Sequence, residues 1–317
     1  MRHERLLWAI LTGFRGGAKD RLECGWRGKT LLTRVTKKYL RRMIAYEISS
    51  KALERGSSMH SLIKGLTLFL AGALLAAGPA LAHETVVKPG AEAAAPGKAL
   101  PFGVHSAHVF IESEELEAAP DVKAFVFEGG KLAEVALALK ANDKGLTYDG
   151  QAVFSKPGTG IVYVHRLPQF WSLTPEGMKK GTKKELPGAT KSNRYEKFAK
   201  GLVAVGGETA GFDALVGARL ELVPLTDPAK AKVGEDLPVK VLLDGQPMPA
   251  TVLATYDGFT KNPNTYAYYT ETDDSGVAKV RLTHAGLWLV RTEAKAVPAD
   301  GSADQEVLRS TLTFFVK

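Results

Sequence analysis

The sequence predicts an all-β fold: an immunoglobulin-like β-sandwich over residues 218–317, preceded by a second β-rich, sandwich-like domain over 101–217. The C-terminal half carries the stronger signal. Seven segments of strand character (219–223, 237–243, 251–256, 266–271, 277–282, 287–292 and 308–316) fall within about 100 residues, the count of an immunoglobulin-type domain. Asp244-Gly245, Asp257-Gly258, Ser275-Gly276 and Asp300-Gly301 punctuate them as turns. Val277-Ala278-Lys279-Val280-Arg281-Leu282 alternates apolar and polar, as a half-buried strand requires, and Trp288 is the expected core aromatic.

Upstream, strands are expected over 104–112, 122–128, 132–139, 151–155 and 159–166, divided by Gly129-Gly130, Asp149-Gly150 and Pro157-Gly158. Residues 169–200 break the pattern with Pro175, Gly177, Pro187, Gly188 and a basic cluster at Lys179, Lys180, Lys183 and Lys184. They read as a long lid loop with a solvated basic surface and a short helix over 192–200. Residues 83–100, rich in Pro, Gly and Ala after position 87, read as a flexible tether.

The first 82 residues read as targeting material. Met59 opens a short, weakly basic stretch, followed by the apolar run from Leu66 to Ala77 and by Ala80-Leu81-Ala82, a small-x-small cleavage pattern. Residues 59–82 are thus a signal peptide. Residues 1–58 are a basic extension from a start codon placed too early. The alternative is a cytoplasmic tail ahead of an uncleaved signal anchor in the inner membrane, since positive charge stays inside. Cleavage after Ala82 would leave 235 residues beginning His83-Glu84. The single cysteine, Cys24, would be lost with the leader, which excludes disulfide, thiolate-metal and cysteine-nucleophile chemistry and a lipid anchor. The expected location is the periplasm.

Charge narrows the function. The chain is formally +8, but residues 1–58 alone hold 14 Lys/Arg against 5 Asp/Glu. That leaves 28 basic and 29 acidic residues over 59–317, without the footprint a nucleic-acid binder needs. A Gly-x-Ser-x-Gly elbow, a His-Glu-x-x-His motif and a Walker loop are all absent from the sequence, so a non-enzymatic protein is expected.

Five histidines follow Ala82: His83, His105, His108, His165 and His284. Imidazole suits Ni, Co, Cu and Zn, and a thiol-free chain would combine it with amines, carboxylates or water. Cleavage before His83 would expose an α-amine beside a ring nitrogen, two atoms able to close a chelate on one metal. His105 and His108, three apart on an expected strand, should point to opposite faces unless a bulge intervenes. His165 ends an apolar strand beside the expected lid. His284 lies in a turn and reads as structural. The acidic run Glu112–Glu117 lacks the spacing of a calcium loop and reads as solvated. Tyr256, Phe259, Tyr266, Tyr268 and Tyr269 read as a half-buried strand face, or alternatively as a carbohydrate or partner platform.

Several segments carry a resemblance to a known family. These are Leu220–Pro228, Val239–Pro247, Ala254–Phe259 and Gly286–Arg291, with Ser106–Phe110 and Arg194–Lys200 upstream. Together they resemble the domain-of-unknown-function 4198 family of secreted bacterial proteins, described as periplasmic components of nickel or cobalt uptake. The resemblance implies a β-rich extracytoplasmic fold and a metal-transport context. It favours His108, which lies in a family-like segment, and His83, since members often carry His just after the cleavage site. The expectation is a periplasmic binding protein that captures or delivers Ni or Co for an inner-membrane uptake transporter. His83, His108 and His165 would be the ligands, and Cu²⁺ the tightest ion in vitro. The alternative is an immunoglobulin-like adhesion or carbohydrate/protein-binding module.

Overall fold

Valine and leucine are the commonest residues of the segments that become strands, and several strands end where Gly, Pro or Asp-Gly permits a turn. A computed structural model describes residues 83–142 and 145–317. The expected basic extension (1–58) and signal peptide (59–82) lie outside the described residues. The strands are β1 (Glu84–Pro89), β2 (Ala93–Ala94), β3 (Ala99–Ala107), β4 (Val122–Glu128), β5 (Lys131–Val135), β6 (Ala138–Asn142), β7 (Gly145–Val153), β8 (Gly158–Thr174) and β9 (Gly177–Lys180). There follow β10 (Lys191–Val205), β11 (Leu220–Pro224), β12 (Asp236–Leu243), β13 (Gln246–Pro247), β14 (Thr251–Tyr256), β15 (Tyr268–Glu271), β16 (Val277–Arg281), β17 (Gly286–Ala296) and β18 (Gln305–Val316). The all-β prediction is borne out. Among the described residues no helix is long and apolar enough to cross a membrane.

A ten-stranded sheet forms the central layer, in the order β15-β14-β17-β18-β10-β8-β4-β5 with β2 and β9 paired at its margins. It takes strands from both sides of residue 217, joined where β10 runs parallel to β18 from Asn193↔Gln305 to Gly201↔Thr313. The two sandwiches therefore share one sheet. On one face lies the sheet made by β11, β12, β13 and β16, and on the other the sheet β1-β3-β7-β6.

Alternation along the shared strands sorts side chains between two cores. Ile161, Tyr163, Phe198, Leu202, Leu312 and Phe314 face the C-terminal sandwich, with Leu222, Val239, Val280 and fully buried Trp288. Val162, Val164, Ala199 and Val203 face the other way, against Val87, Phe102, Tyr148 and Phe154. Trp288 donates from Nε1 to the His284 carbonyl at 2.7 Å, so its one polar atom is satisfied. The C-terminal strands form the expected immunoglobulin-like sandwich, with Trp288 in its core.

Three local expectations are corrected. Residues 83–100 are not a flexible tether, because Thr85-Val86-Val87 form the buried middle of β1 and pair with β3 from Glu84↔Ala107 to Pro89↔Phe102. Thr311 and Thr313 hydroxyls donate to the Thr85 and Val87 carbonyls at 2.7 Å, tying β1 down onto β18. Gly201 permits the approach, since a Cβ there would stand 2.7 Å from Val87 Cγ1. The β-branched run outweighs the Pro/Gly-rich stretch that follows it.

Nor is 169–200 a lid loop: most of it continues β8, forms β9 and begins β10. The helix over 192–200 is a strand. Glu, Lys and Ala there have good helix propensity, but pairing on both edges and burial on both faces override it. The basic cluster is exposed, as expected, and Lys180 and Lys183 pair at the surface with Asp121 and Asp304 at 2.7 and 2.6 Å.

Candidate metal centre

β1 and β3 bring the start of the described chain against the turn that follows β3. His83 directly precedes β1, and Glu84 at the strand's first position pairs with Ala107. His108 therefore stands one residue past the register partner of Glu84. The chain then reverses through an isolated Val109↔Glu112 bridge, with Ile111 in the left-handed region at φ 56°. The Glu114 N–H donates to the Ser106 carbonyl at 2.9 Å, closing the turn and folding the acidic run back over the histidines. That reversal supplies the irregularity at which His108 leaves the strand register.

The result is a cluster of His83, His108 and Glu114, each offering one ligand atom, all within 4.8 Å of one another. It is the only such group of His, Cys, Asp or Glu among the described residues. Glu114 Oε2 lies 2.8 Å from His108 Nδ1 and 3.6 Å from His83 Nε2. Glu115 takes His83 Nδ1 at 2.6 Å and so orients the ring. The His108 and Val109 N–H groups donate to Glu114 Oε1, both at 3.3 Å. Both imidazoles are largely buried, whereas the two glutamates are about one third exposed or more.

The electrostatics favour an uncharged His83. Burial lowers its pKa most, and His108 and Lys197 add repulsion that outweighs the attraction of Glu115 and Glu114. Burial works against ionisation of Glu114, but hydrogen bonds from the His108 ring and the His108 and Val109 N–H groups hold its pKa below the ordinary value. A neutral imidazole beside an ionised carboxylate is the protonation state that coordinates a cation.

Much of the acidic run thus differs from the solvated surface expected of it. Glu114 and Glu115 meet the histidines. Glu117 is half-buried against Lys197 at 2.8 Å, with Arg166 at 3.6 Å. Composition carried no sign of the Glu117 pairing, because its partners lie on β8 and β10, far away in sequence.

His165 lies elsewhere. It is opposite Phe198 in the β8–β10 register, while the next pair is Arg166 with Lys197. Strand alternation puts His165 on the face of Phe198 and the C-terminal core, and Lys197 on the face toward β1 and His83. His165 Nε2 is 2.7 Å from Glu196 and its ring stacks on Phe198 at 5.1 Å. His105 is buried with Nδ1 unpartnered and its pKa lowered to about 4, chiefly by burial and then by Lys88. His284 stacks on Tyr256 at 4.4 Å beside Trp288, a structural setting.

The architecture and the cluster define a β-sandwich protein with a histidine–carboxylate group at one strand end. The chain belongs to the family described as Domain of unknown function (DUF4198), which it matches over residues 80–296. None of the curated proteins compared matches it. Among solved structures it is similar to the D0-D1 domain of intimin, at 14% identity and a TM-score of 0.20, covering 73% of this chain and 97% of that one. It is also similar to the mouse nectin-like molecule 4 ectodomain, at 12% identity and TM-score 0.19, covering 74% and 64% of the two chains. A titin I-band fragment, I67–I69, gives 12% identity and TM-score 0.19, covering 73% and 65%. The chain thus spans just under two thirds of the nectin-like and titin fragments.

Proposed function

We propose that the protein is a periplasmic, non-enzymatic binding protein that captures or delivers a divalent transition metal, nickel or cobalt first, for an inner-membrane uptake transporter. One observation carries the reading: His83, His108 and Glu114 present three donor atoms within 4.8 Å of one another. Two imidazoles and a carboxylate suit a borderline divalent ion, and Glu115 on His83 Nδ1 is an orienting carboxylate of the kind that surrounds histidine metal ligands. Processing before His83 would add an α-amine that closes a chelate with the His83 ring. His165 is left out of this site because Glu196 holds it on the other face of the sheet.

A second reading, an adhesion or carbohydrate/protein-binding module, rests on the exposed Tyr269 and Phe259 rings. Calorimetric titration of Ni²⁺ and Cu²⁺ into the form beginning at His83 separates the two. H108A and E114Q should each weaken binding at least tenfold, and H165A should leave it unchanged. Cu²⁺ should bind tighter than Ni²⁺ whichever ion is the cargo. One added residue before His83 should also weaken binding by removing the amine from the chelate. Undiminished binding by H108A would remove the site. An absence of binding in all forms would favour the module.

A further inference from the structure

On the same face of the central sheet as His83, a cleft of about 550 Å³ opens between β14, β17, β18 and the loop before β15. Its walls include Leu253, Tyr266, Glu84, Arg291, Glu293 and Arg309. That size is typical of a small-molecule site. Its floor is unusual for a sandwich surface because it carries four charges that are mostly buried. The Arg291 Nη2 lies 3.0 Å from Glu84 Oε1 and 3.4 Å from Glu293 Oε2. The Arg309 Nε lies 2.7 Å from Glu293 Oε2, while its Nη1 is 4.0 Å from Glu84 Oε1. Lys295 Nζ, at the rim, takes the other Glu293 oxygen at 2.8 Å.

Despite this pairing, three buried polar atoms of the cluster have no hydrogen-bond partner: Arg291 Nε, Arg309 Nη1 and Glu84 Oε2. Buried polar groups are nearly always satisfied, and leaving charged ones unmade is costly. Two are cationic donors and one is an anionic acceptor. A purely anionic ligand would satisfy the donors but repel Glu84 and Glu293. A cation would do the reverse. A molecule bearing both charges answers all three atoms.

We propose that this cleft binds a small zwitterion, a free amino acid or a dipeptide. Its carboxylate lies on Arg291 and Arg309, and its ammonium on Glu84. The Arg291 guanidinium stands over the Tyr266 ring at 6.0 Å, and Leu253 and Tyr266 supply apolar surface for the ligand's side chain. Asn264, also in the wall, donates its N–H to the His108 carbonyl at 3.0 Å, so the cleft is anchored to the turn that carries the histidine cluster. The inference stands without any metal at His83.

Titration calorimetry on chelator-treated protein beginning at His83 tests it, so that metal chelation by the probes contributes nothing. The probes are L-glutamine and L-alanyl-L-alanine, with N-acetyl-L-alanine lacking the ammonium, L-alaninamide lacking the carboxylate, and maltose. At least one zwitterion should bind, and both single-charge analogues should be at least tenfold weaker. E84Q should lower the zwitterion's affinity at least tenfold and should raise, not lower, that of N-acetyl-L-alanine, which Glu84 repels. The analogue series on the unmodified chain decides the matter even where E84Q does not fold. Equal binding of zwitterions and analogues, no binding of either zwitterion, or preferential binding of maltose would each overturn the proposal.

Discussion

The rings of His83 and His108 stand with centroids 3.8 Å apart at 42°, and Glu114 reaches both. Two imidazolium ions at this separation would repel strongly, so the pair resists double protonation. In a form that keeps the peptide bond before His83, this ring should titrate below the ordinary imidazole value near 6.5. H108A should raise the His83 pKa part of the way back, because burial, the larger cause, remains. NMR titration of the ring protons reads both values. An unperturbed His83, or one unmoved by H108A, would contradict this account.

His105 offers a separate pH effect on stability. Its folded-state pKa of about 4 lies below the ordinary 6.5, so the unfolded chain takes up a proton in that window and the folded chain does not. Its contribution is fully present above about pH 6.5 and is lost as pH falls through that window toward 4, amounting to about 3 kcal/mol. H105F should reduce the pH slope of unfolding free energy there by about one proton, roughly 1.4 kcal/mol per pH unit. Since His105 Nδ1 is already unpartnered, the substitution should not lower stability at pH 8 by more than about 1.5 kcal/mol. Urea unfolding at a series of pH values measures both quantities.

Lys200 and Glu221 form the ion pair that joins β10 to β11, both side chains almost wholly buried and 2.9 Å apart. Glu221 also accepts the N–H groups of Val216, Gly217 and Ala218 at 2.8, 3.2 and 3.2 Å. E221A strands the ammonium and three backbone donors together, and should cost about 3–5 kcal/mol. K200M should cost less, because Glu221 keeps its three N–H donors. Denaturant midpoints that reverse this order would show that Glu221 depends more on the lysine than on its three N–H donors.

The sequence by itself determined the all-β class, the seven C-terminal strands and the burial of Trp288. Each follows from local physics: period-two alternation, Asp-Gly turns and the burial of a large aromatic. It also marked His83 and His108 as candidates, since imidazole chemistry belongs to the residue wherever it lies. Only the tertiary structure decided which groups meet. Glu114 joins the histidines because the chain reverses at Ile111, a residue with nothing in its side chain that favours φ 56°. His165 is separated from them by one step of strand parity, which depends on the register of β8 with β10. Residues 192–200 became a strand through parallel pairing with β18, a partner more than a hundred residues away. Local propensity is worth tenths of a kcal/mol per residue, whereas two paired edges and two buried faces are worth several, so the long-range contacts decided these positions.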